Sequence, residues 1–367
     1  MEIALAHDYL TQRGGAERVA LAMSDAFPGA PIYTTLYEPT STFPGFAGRD
    51  VRPSALNRHA SLRRSHRLAL PFLAADVDQI RIDADVVIAS SSGWAHGMRT
   101  DGRKIVYCHA PARWLYQTGR YAGGTGLRGA GVRAAVSVLG TRLREWDRRA
   151  ANSADRYLVN STAVRTAVRE AYGIEAEVVP PPPALLPGGV EEAVAGVAPG
   201  YLLVVARLLP YKNVDKAIRA VLARGDVRLV IVGHGPDRAR LEGIARGSSL
   251  VTFAGSVSDA QLRWLYRNAL ALIAAAYEDY GLAPLEAAAF GRPCLALHDG
   301  GFLDTVRAGE TGVFFEEPAA SDIAAAVDEL QRTAWDAATI VEHANSFSAA
   351  RFAARLAEAA GVGQLAV

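Results

Sequence analysis

Four consecutive prolines divide this sequence of 367 residues into two halves that carry the same kind of pattern. The segment VVPPPPALLPGG, residues 178–189, favours an extended and stiff connector, because each proline fixes φ and donates no backbone hydrogen bond. A chain of this length is too long for one ordinary core and suits two domains. We therefore predict a first domain over residues 1–180, a second over 181–345 and a terminal segment over 346–367.

Short apolar runs alternate with amphipathic helical patterns on both sides of the connector. This alternation is typical of parallel sheets with helices on both faces, so the predicted fold class is α/β, with two Rossmann-like domains facing across a cleft. Ligands of such sheets bind at the carboxyl ends of the strands. The predicted strands are residues 2–7, 85–90, 104–108 and 156–160, then 201–206, 227–233, 250–255, 269–275 and 293–297.

Helices are predicted between these strands and at the end of the chain. The patterns indicate helices over residues 16–27 and 162–172 and over 346–361, the last with Ser346 or Ser348 as its N-cap. Another helix begins at a capping-box pattern, in which Ser258 is followed three residues later by Gln261.

Composition narrows the class of protein. Hydrophobic residues make up 50% of the chain and charged residues 21%, which is typical of a globular protein, and no apolar run is long enough to span a membrane. Cys108 and Cys294 provide neither a disulfide framework nor a CxxC zinc pattern, and the first residues lack the pattern of a signal peptide. We therefore expect a cytoplasmic protein without a metal site.

The net charge of +1 hides an asymmetry between the halves. Residues 1–183 carry 23 Lys and Arg against 17 Asp and Glu, whereas residues 184–367 carry 16 against 21. A basic half joined to an acidic half predicts two domains with different binding partners.

Two glutamates and two basic residues are the most specific features of the second half. In YEDYGLAPLEAAAFGRP, Glu278 is predicted in a loop and Glu286 in the first turn of a helix, because Pro284 suits a first helical position. Arg207 and Lys212 follow a predicted strand, and a planar guanidinium beside a mobile ammonium suits two neighbouring phosphates. A solvated lysine and an arginine salt bridge would explain the same two residues equally well.

Candidate residues of the first half also follow predicted strands. Gly14 and Gly15 lie between the first strand and the first helix, where backbone amides approach an anion at a helix N-terminus, although a tight turn is the alternative. His109 directly follows the strand 104–108, and His7 ends the first strand. A lone histidine is more often structural than functional, so both interpretations stay open.

Three other motifs are predicted to be structural or peripheral. GHGPDR, which begins at Gly233, is interpreted as a tight turn. Asp76 and Asp78 form a DxD, but no phosphate-binding loop surrounds them, so we interpret the segment as a loop before a strand and not as a metal site. The glycine-rich residues 121–131 are expected to be mobile.

A basic stretch over residues 54–73 suggests a surface that meets negative charge. It contains no acidic residue, and its arginines are Arg58, Arg63, Arg64 and Arg67. Such a stretch fits an anionic membrane surface, an anionic acceptor or a solvated helix face. Because nothing resembles a groove-reading motif, no nucleic acid is expected as a partner.

Taken together, these segments resemble the family-four retaining glycosyltransferases of the GT-B fold. The matching segments cover most of the chain in family order: RGGAERV, SSSGWAHG, YCHAPARWLY, LVNSTAVRTAVREAYGIEAEVVPPP, VVARLLPYKNVDKAIRA, IVGHGPDRARLE, VTFAGSVSDAQLRWLY and YEDYGLAPLEAAAFGRPCLAL. The combination of an E-x7-E element and an R-x4-K element after a proline linker is specific. HDYLTQRGGAERV and YCHAPARWLY are similar to a subgroup that transfers mannose from a GDP donor.

The resemblance implies a role for each candidate residue. Arg207 and Lys212 would bind the donor diphosphate, Glu286 the nucleotide ribose, and Glu278 the donor sugar or the reacting centre. The remaining implied contacts are His109 with the donor sugar, the amides of Tyr280, Gly281 and Leu282 with sugar and phosphate, Val257 and Asp259 with the nucleobase, and Gly14 and Gly15 with the distal phosphate. The final helix would cross back to the first domain.

The implied function is a retaining, metal-independent transfer of a hexose from a nucleoside-diphosphate sugar, with GDP-mannose favoured, to a saccharide, lipid-linked or small-molecule acceptor. No cofactor is expected besides this donor substrate. The alternatives are a sugar-nucleotide 2-epimerase of the same fold and a non-catalytic sugar-nucleotide-binding partner protein. An NAD-dependent oxidoreductase is disfavoured because its glycine fingerprint is absent. Peripheral contact with the inner face of an anionic membrane, through residues 54–67, is a further expectation.

Overall fold

The computed structural model describes residues 1–65, 68–116 and 140–362. The chain folds into two compact units, one formed by Met1–Pro182 with Ala349–Val367 and the other by Pro183–Ser348. We call these unit 1 and unit 2. The glycine-rich residues 121–131, as well as His66 and Arg67 of the basic stretch, lie outside the described residues.

Unit 1 is built on a seven-stranded parallel sheet with the strand order β3-β2-β1-β4-β5-β6-β7. The strands are β1 (Ile3–His7), β2 (Ile32–Thr34), β3 (Val51–Pro53), β4 (Val86–Ser91), β5 (Arg103–Cys108), β6 (Arg156–Val159) and β7 (Glu177–Val178). The helices are α1 (Gly15–Ala26), α2 (Ala60–Arg64), α3 (Leu70–Val77), α4 (Arg113–Tyr116), α5 (residues 140–151) and α6 (Thr162–Tyr172), with 3₁₀ turns at Pro44–Phe46, Ala55–Arg58 and Ala95–Gly97.

Unit 2 is built on a six-stranded parallel sheet with the strand order β10-β9-β8-β11-β12-β13. The strands are β8 (Tyr201–Val205), β9 (Leu229–Val232), β10 (Val251–Gly255), β11 (Ala269–Ala274), β12 (Cys294–Leu297) and β13 (Gly312–Phe315). The helices are α7 (Val214–Arg224), α8 (Arg238–Ala245), α9 (Asp259–Asn268), α10 (Leu282–Ala289), α11 (Phe302–Thr305), α12 (Ala320–Arg332) and α13 (Ala337–Asn345), with a 3₁₀ turn at Pro210–Lys212.

The last helix of the chain, α14 (Ala349–Ala360), packs in unit 1. Its Phe352 is buried and meets the ring of Tyr107 edge-on, with 5.6 Å between the ring centroids. At the other end of the helix, the Arg103 guanidinium donates to the carbonyls of Ala359 and Ala360, for which the helix itself provides no backbone N–H donor. Apolar packing and end capping therefore both fix α14 on the unit 1 sheet.

Strands with continuous apolar sequences are the elements that the sequence predicts best. All nine predicted strands are present, because a parallel strand covered on both faces buries nearly every side chain, as β4 does. The capping box is also confirmed: the Ser258 hydroxyl accepts from the Gln261 backbone, and the Gln261 side chain accepts from the Ser258 backbone. Ser346 is not an N-cap. It follows the end of α13, where its hydroxyl donates to the His343 carbonyl at 2.6 Å.

The DxD segment is helical, so its prediction as a loop is wrong. Asp76 and Val77 form the end of α3, and Asp78 follows as its C-cap. Val77 is fully buried, and a carboxylate oxygen of Asp78 accepts a hydrogen bond from the Trp146 indole at 3.1 Å. These packing contacts select the helix. Within the described residues, no helix combines the length and the apolarity that crossing a lipid bilayer requires.

Candidate functional site

Four predicted site residues of unit 2 lie on segments that follow two neighbouring strands. The strand order reverses between β8 and β11, which are adjacent in the sheet although β9 and β10 separate them in the chain. Arg207 and Lys212 follow β8, and Glu278 and Glu286 follow β11. In open parallel sheets, ligands bind outside the carboxyl ends of the strands at such a reversal. Topology therefore points to this edge as the ligand site of unit 2.

Lys212 and Glu278 contact each other directly. The Lys212 ammonium donates a hydrogen bond to Oε1 of Glu278 and forms an ion pair with it. The lysine side chain is 12% exposed and the glutamate side chain 33%, so the pair is only partly accessible to water. Asn213 has a left-handed backbone conformation with φ of 55°. Its side-chain amide donates a hydrogen bond to the Ala275 carbonyl at 2.8 Å and so joins the segment after β8 to the segment after β11. Arg207, five residues before Lys212 in the chain, is exposed.

Glu286 lies one turn later in its helix than the sequence indicated. Helix α10 begins at Leu282, so Glu286 is its fifth residue and the predicted first-turn position is wrong. Gly281 ends the preceding loop with φ of 95°, a conformation that favours glycine, and this sets the start of the helix. Pro284 is the third helical residue, where its missing N–H costs nothing because the first four amides have no acceptor within the helix. The Tyr266 hydroxyl donates to Oε2 of Glu286 at 2.8 Å.

A glycine pair after β12 supports the loop that carries Glu278. The backbone N–H of Gly301 donates to the Glu278 carbonyl at 2.8 Å. A Cβ on Gly301 would lie 2.3 Å from Cα of Tyr280, and one on Gly300 would lie 2.3 Å from the Glu278 carbonyl oxygen. Only glycine allows this approach. Our sequence reasoning missed both residues, although two adjacent glycines shortly after a buried strand were a readable signal.

A second pair of glycines supports the segment of Arg207. A Cβ on Gly233 would lie 1.9 Å from the Ala206 carbonyl oxygen, and one on Gly235 would lie 2.0 Å from the Leu208 carbonyl oxygen. These two carbonyls flank Arg207. The turn predicted for GHGPDR therefore packs against the backbone on both sides of Arg207 and helps to fix the position of this candidate binding residue. The sequence did not reveal this contact.

The same turn reaches the predicted nucleobase segment. Nε2 of His234 accepts a hydrogen bond from the backbone N–H of Ser256 at 3.1 Å, so the other ring nitrogen carries the proton if the imidazole is neutral. Val257 follows in the loop, whereas Asp259 is the first residue of α9 and not a loop residue.

In unit 1 the strand order reverses between β1 and β4, and a chain of hydrogen bonds joins the ends of three strands there. Nδ1 of His7 is 2.9 Å from the Ser90 hydroxyl, which is 2.8 Å from Nε2 of His109. All three side chains are buried. The structure thus joins both candidate histidines through a serine that sequence reasoning missed.

Both histidines are neutral near pH 7. Burial lowers the pKa of His109 to about 3, and the neighbouring His7 and Arg113 contribute in the same direction. Burial also lowers the pKa of His7, against the smaller opposing effect of Asp8. A serine hydroxyl between two neutral imidazoles donates to one ring and accepts from the other. His109 is therefore suited to fixed hydrogen bonding and not to accepting a proton at neutral pH.

Asp8 shapes the turn after β4. Its carboxylate accepts hydrogen bonds from the backbone N–H groups of Ser92 at 2.7 Å, Trp94 at 3.2 Å and Ala95 at 2.6 Å. A carboxylate that receives several amide donors stabilises a tight turn, so this edge of the sheet is a rigid part of unit 1. The sequence contained the aspartate directly after a candidate histidine, but no local pattern connected it with a turn eighty residues later.

The glycine turn before α1 covers a buried carboxyl group. Gly14 is the N-cap of α1 and Gly15 its first residue. A Cβ on Gly14 would lie 2.5 Å from Oε2 of Glu17, so a larger residue there would require the glutamate side chain to move. Burial raises the pKa of Glu17 to about 7, although a hydrogen bond from Gln12 at 2.9 Å opposes the shift. Partial protonation reduces the repulsion that this carboxyl would exert on an anion bound at the turn.

The basic stretch of unit 1 divides into tied and exposed residues. Arg63 donates to Glu38 at 3.2 Å and also to the Asn57 carbonyl, so it belongs to the fold. Arg58 and Arg64 are exposed. Two large apolar side chains of the same stretch are also exposed, Leu68 by 58% and Phe72 by 55%. Among the described residues, no group of three or more His, Cys, Asp and Glu side chains is arranged to hold a metal ion.

Two family models match the chain. The model described as Glycosyltransferase Family 4 matches residues 13–182, and the model described as Glycosyl transferases group 1 matches residues 194–346.

Curated relatives carry names of the same class. The chain is 33% identical over 227 residues to the D-inositol 3-phosphate glycosyltransferase of Rhodococcus erythropolis, which covers 53% of this chain and 50% of that protein. It is 34% identical over 241 residues to the protein of the same name from Nocardia farcinica, and the aligned region covers 56% of this chain and 52% of that protein. The chain thus spans about half the length of the curated relatives it matches.

Solved structures show the same fold over the whole chain. The galactosyltransferase WaaB of the lipopolysaccharide outer core superposes with a TM-score of 0.65 at 17% identity, covering 98% of this chain and 99% of the other. Anabaena HepE, solved with UDP, superposes with a TM-score of 0.68 at 17% identity and the same coverage. At this identity the likeness shows the fold, which confirms the GT-B prediction.

We expect Gly301→Ala to destabilise unit 2 by about 1–3 kcal/mol, because the added methyl group overlaps the Tyr280 backbone. Gly301 has φ of −73°, so alanine adopts its backbone conformation and only the overlap is tested. Urea denaturation measures the change. Gly243→Ala is the matched control, because within the described residues no atom lies within 4 Å of its added Cβ and it lies inside α8. It should stabilise the protein by about 0.5–1 kcal/mol, and equal effects of both changes would contradict the packing argument.

Stability should fall as the pH falls below about 6.5, partly because of His109. The unfolded chain takes up a proton near the ordinary histidine pKa of 6.5, whereas the folded state keeps His109 neutral down to about 3. In the His109→Gln variant, the unfolding free energy should therefore fall less steeply with decreasing pH than in the wild type, by up to about 1.4 kcal/mol per pH unit between pH 6.5 and 4.5. Glu17 changes the stability in the opposite direction between about pH 4.5 and 7, because its pKa is raised in the folded state. The informative quantity is therefore the difference in slope between the variant and the wild type. His59→Gln, which removes an exposed imidazole, should keep the wild-type slope.

Proposed function

Because this chain belongs to the family-four glycosyltransferases of the GT-B fold, we propose that it transfers a hexose from a nucleoside-diphosphate sugar to a saccharide, lipid-linked or small-molecule acceptor. One observation carries the proposal. Where the unit 2 sheet reverses its strand order, Lys212 pairs with Glu278, and the exposed Arg207 lies on the same segment after β8 as Lys212. Two cations at a ligand edge suit a diphosphate, and a carboxylate next to them suits sugar hydroxyls.

Unit 2 supplies the donor contacts in this proposal. Arg207 and Lys212 bind the diphosphate, and Glu286 accepts hydrogen bonds from the ribose. Glu278 contacts the donor sugar, and a phosphate oxygen that attracts Lys212 releases this carboxylate from its present partner. The backbone amides of Tyr280, Gly281 and Leu282 at the start of α10 approach the sugar and the phosphate, and Val257 and Asp259 contact the nucleobase.

In this proposal unit 1 is the acceptor-side domain, and it also contributes contacts with the donor. His109, held neutral by burial and oriented by Ser90, contacts a hydroxyl of the donor sugar through a hydrogen bond. Gly14 and Gly15 contact the distal phosphate through backbone amides at the start of α1. The C-terminal helix α14 completes unit 1 by packing on Tyr107, two residues before His109.

The chemical step breaks the bond between the anomeric carbon and the diphosphate oxygen. Negative charge then builds on the leaving diphosphate, where Arg207 and Lys212 stabilise it; the proposal gives this role to the two side chains and not to a metal ion. The acceptor oxygen attacks the same face from which the diphosphate leaves, so the configuration is retained. The acceptor proton passes to the leaving phosphate, which balances the step without a carboxylate nucleophile.

The donor base and sugar are tested by a direct screen. UDP-, GDP-, ADP- and dTDP-sugars are titrated in the presence of EDTA, and slow release of free sugar is measured. The motifs of unit 1 favour GDP-mannose, whereas HepE was solved with UDP, so these two donors are the main competitors. Binding of one donor with slow hydrolysis supports the proposal. Binding of none contradicts it.

Two other functions give different products in the same screen. A sugar-nucleotide 2-epimerase would convert the donor into an isomeric sugar nucleotide without an acceptor. A non-catalytic partner protein would bind the donor but neither hydrolyse it nor transfer its sugar to any acceptor. The combination of Arg207 and Lys212 with Glu278 and Glu286 favours the transferase over the epimerase, and the presence of His109 with these residues favours it over a non-catalytic protein.

We also propose that unit 1 contacts an anionic membrane surface at the periphery. Exposed Arg58 and Arg64 supply positive charge, and exposed Leu68 and Phe72 supply apolar contact. Each basic residue near an anionic surface contributes about 1 kcal/mol, and apolar side chains add to this. A lipid-linked acceptor fits this surface.

Lys212→Ala should lower kcat by about a hundredfold to a thousandfold, because it removes one of the two charges that stabilise the leaving diphosphate. Arg207→Ala should have an effect of the same order. Lys216→Ala is the matched control, since Lys216 is a 41% exposed lysine in α7 of the same unit, and its activity should be unchanged. Unchanged kinetics in Lys212→Ala would contradict the diphosphate assignment.

Glu278→Gln should bind the nucleoside diphosphate at least as tightly as the wild type, since it removes the carboxylate that competes for Lys212.

The double variant Arg58→Gln, Arg64→Gln should bind vesicles containing anionic lipid at least tenfold more weakly than the wild type, given about 1 kcal/mol for each charge. The matched control is Arg165→Gln, Arg169→Gln, which makes the same charge change on exposed positions of α6. Vesicle sedimentation measures both. Equal weakening by the two double variants would show that net charge, and not this surface, determines binding.

A further inference from the structure

A buried tyrosine contacts the glutamate that we assign to the donor ribose. Tyr266 lies in α9 with its side chain fully buried, and its hydroxyl donates to Oε2 of Glu286 at 2.8 Å. The Tyr266 ring stacks on Phe290, with 5.6 Å between centroids and 17° between planes. Glu286 and Phe290 are four residues apart and so share one face of α10 and its C-cap. Tyr266 thus contacts this face at one polar and one apolar point.

The direction of the hydrogen bond follows from burial. Burial raises the pKa of Tyr266 well above its ordinary value, and the negative charge of Glu286 adds to the effect. The phenol therefore keeps its proton and donates it to the carboxylate. A carboxylate has about four lone-pair positions, so one phenol donor leaves acceptor capacity for other hydroxyl groups.

Orientation is what Glu286 gains from this contact. A glutamate side chain has several rotatable bonds, and fixing it on ligand binding costs up to about 2 kcal/mol. Tyr266 restricts the side chain before any ligand arrives. A ribose diol presents two neighbouring hydroxyl groups in fixed geometry, so a carboxylate that is already oriented binds it more tightly than one that rotates.

We propose that Tyr266 is a positioning residue that orients the Glu286 carboxylate toward the ribose hydroxyls of the donor and thereby sets a preference for ribonucleoside over deoxyribonucleoside diphosphates. The inference rests on the proposed function, because it needs Glu286 to contact the ribose. It goes further by naming the residue that determines how selective this contact is.

The test compares ribose and deoxyribose ligands in the whole protein. Tyr266→Phe removes only the hydroxyl and keeps the ring on Phe290. Calorimetric titrations use UDP and GDP together with their 2′-deoxy and 3′-deoxy forms. We expect the variant to bind the ribonucleotide about tenfold more weakly, since a hydrogen bond to a charged group is affected, while the affinity for the deoxy forms changes little. The ratio of the two affinities is therefore the readout.

Tyr201→Phe is the matched control. It removes another buried tyrosine hydroxyl of unit 2, which donates to the Leu265 carbonyl at 2.9 Å, one residue before Tyr266. This variant should lose stability but keep the wild-type affinity ratio. A second measurement uses the Glu286→Gln background, in which adding Tyr266→Phe should not change the ratio further, because the two residues act through one contact.

The outcomes separate this inference from the proposed function. If Tyr266→Phe keeps the wild-type ratio of ribose to deoxyribose affinities, whether it weakens both ligands equally or neither, Tyr266 is a structural residue. The inference is then wrong while donor binding stands. If the wild type binds both sugar forms equally, the ribose assignment of Glu286 fails and the inference fails with it. If the wild type binds no nucleoside diphosphate, the proposed function itself is wrong.

Discussion

At Gly301 the backbone of unit 2 lies so close to Tyr280 that a methyl group would come within 2.3 Å of its Cα. The same constraint recurs at Gly233 and Gly235 beside the segment of Arg207. Backbone segments can approach one another this closely only where a side chain is absent. Each of these contacts lies beyond the carboxyl end of a parallel strand, so the rigid sheet determines the positions of loops that would otherwise be variable. The positions of Arg207 and Glu278 both depend on this packing.

The two units hold their candidate residues by different physical means. In unit 2 a lysine and a glutamate carry opposite charges in partly exposed positions. In unit 1 two histidines and a serine form a buried chain in which burial removes the charge. A charged pair exchanges partners when a stronger anion arrives, whereas a neutral chain keeps its geometry. In the proposed function, this difference suits residues of unit 2 that accept a diphosphate and residues of unit 1 that present fixed hydrogen bonds.

Sequence reasoning predicted those parts of the fold that depend on local pattern. Apolar runs located nine strands, and the spacing of Ser258 and Gln261 located a helix start. It missed β2, β3, β7 and β13, which have only two to four residues, and it missed Ser90, Asp8 and Tyr266, whose partners lie 19 to 86 residues away. The turn of Glu286 was assigned wrongly because the left-handed Gly281, and not Pro284, determines where the helix begins. Long-range contacts of this kind have no signature in a single local segment.

The two glutamates of the E-x7-E element both have partners before any ligand binds, but the partners differ in kind. Lys212 carries a full charge, so a phosphate oxygen can take the place of the Glu278 carboxylate at its ammonium. Tyr266 is a buried neutral donor that a phosphate cannot reach, so its contact with Glu286 persists. Donor binding should therefore release one carboxylate and leave the other fixed. In the proposed function, such a site binds the nucleotide through Glu286, which Tyr266 holds in place, and Glu278 becomes available to the donor sugar after the diphosphate has bound to Lys212.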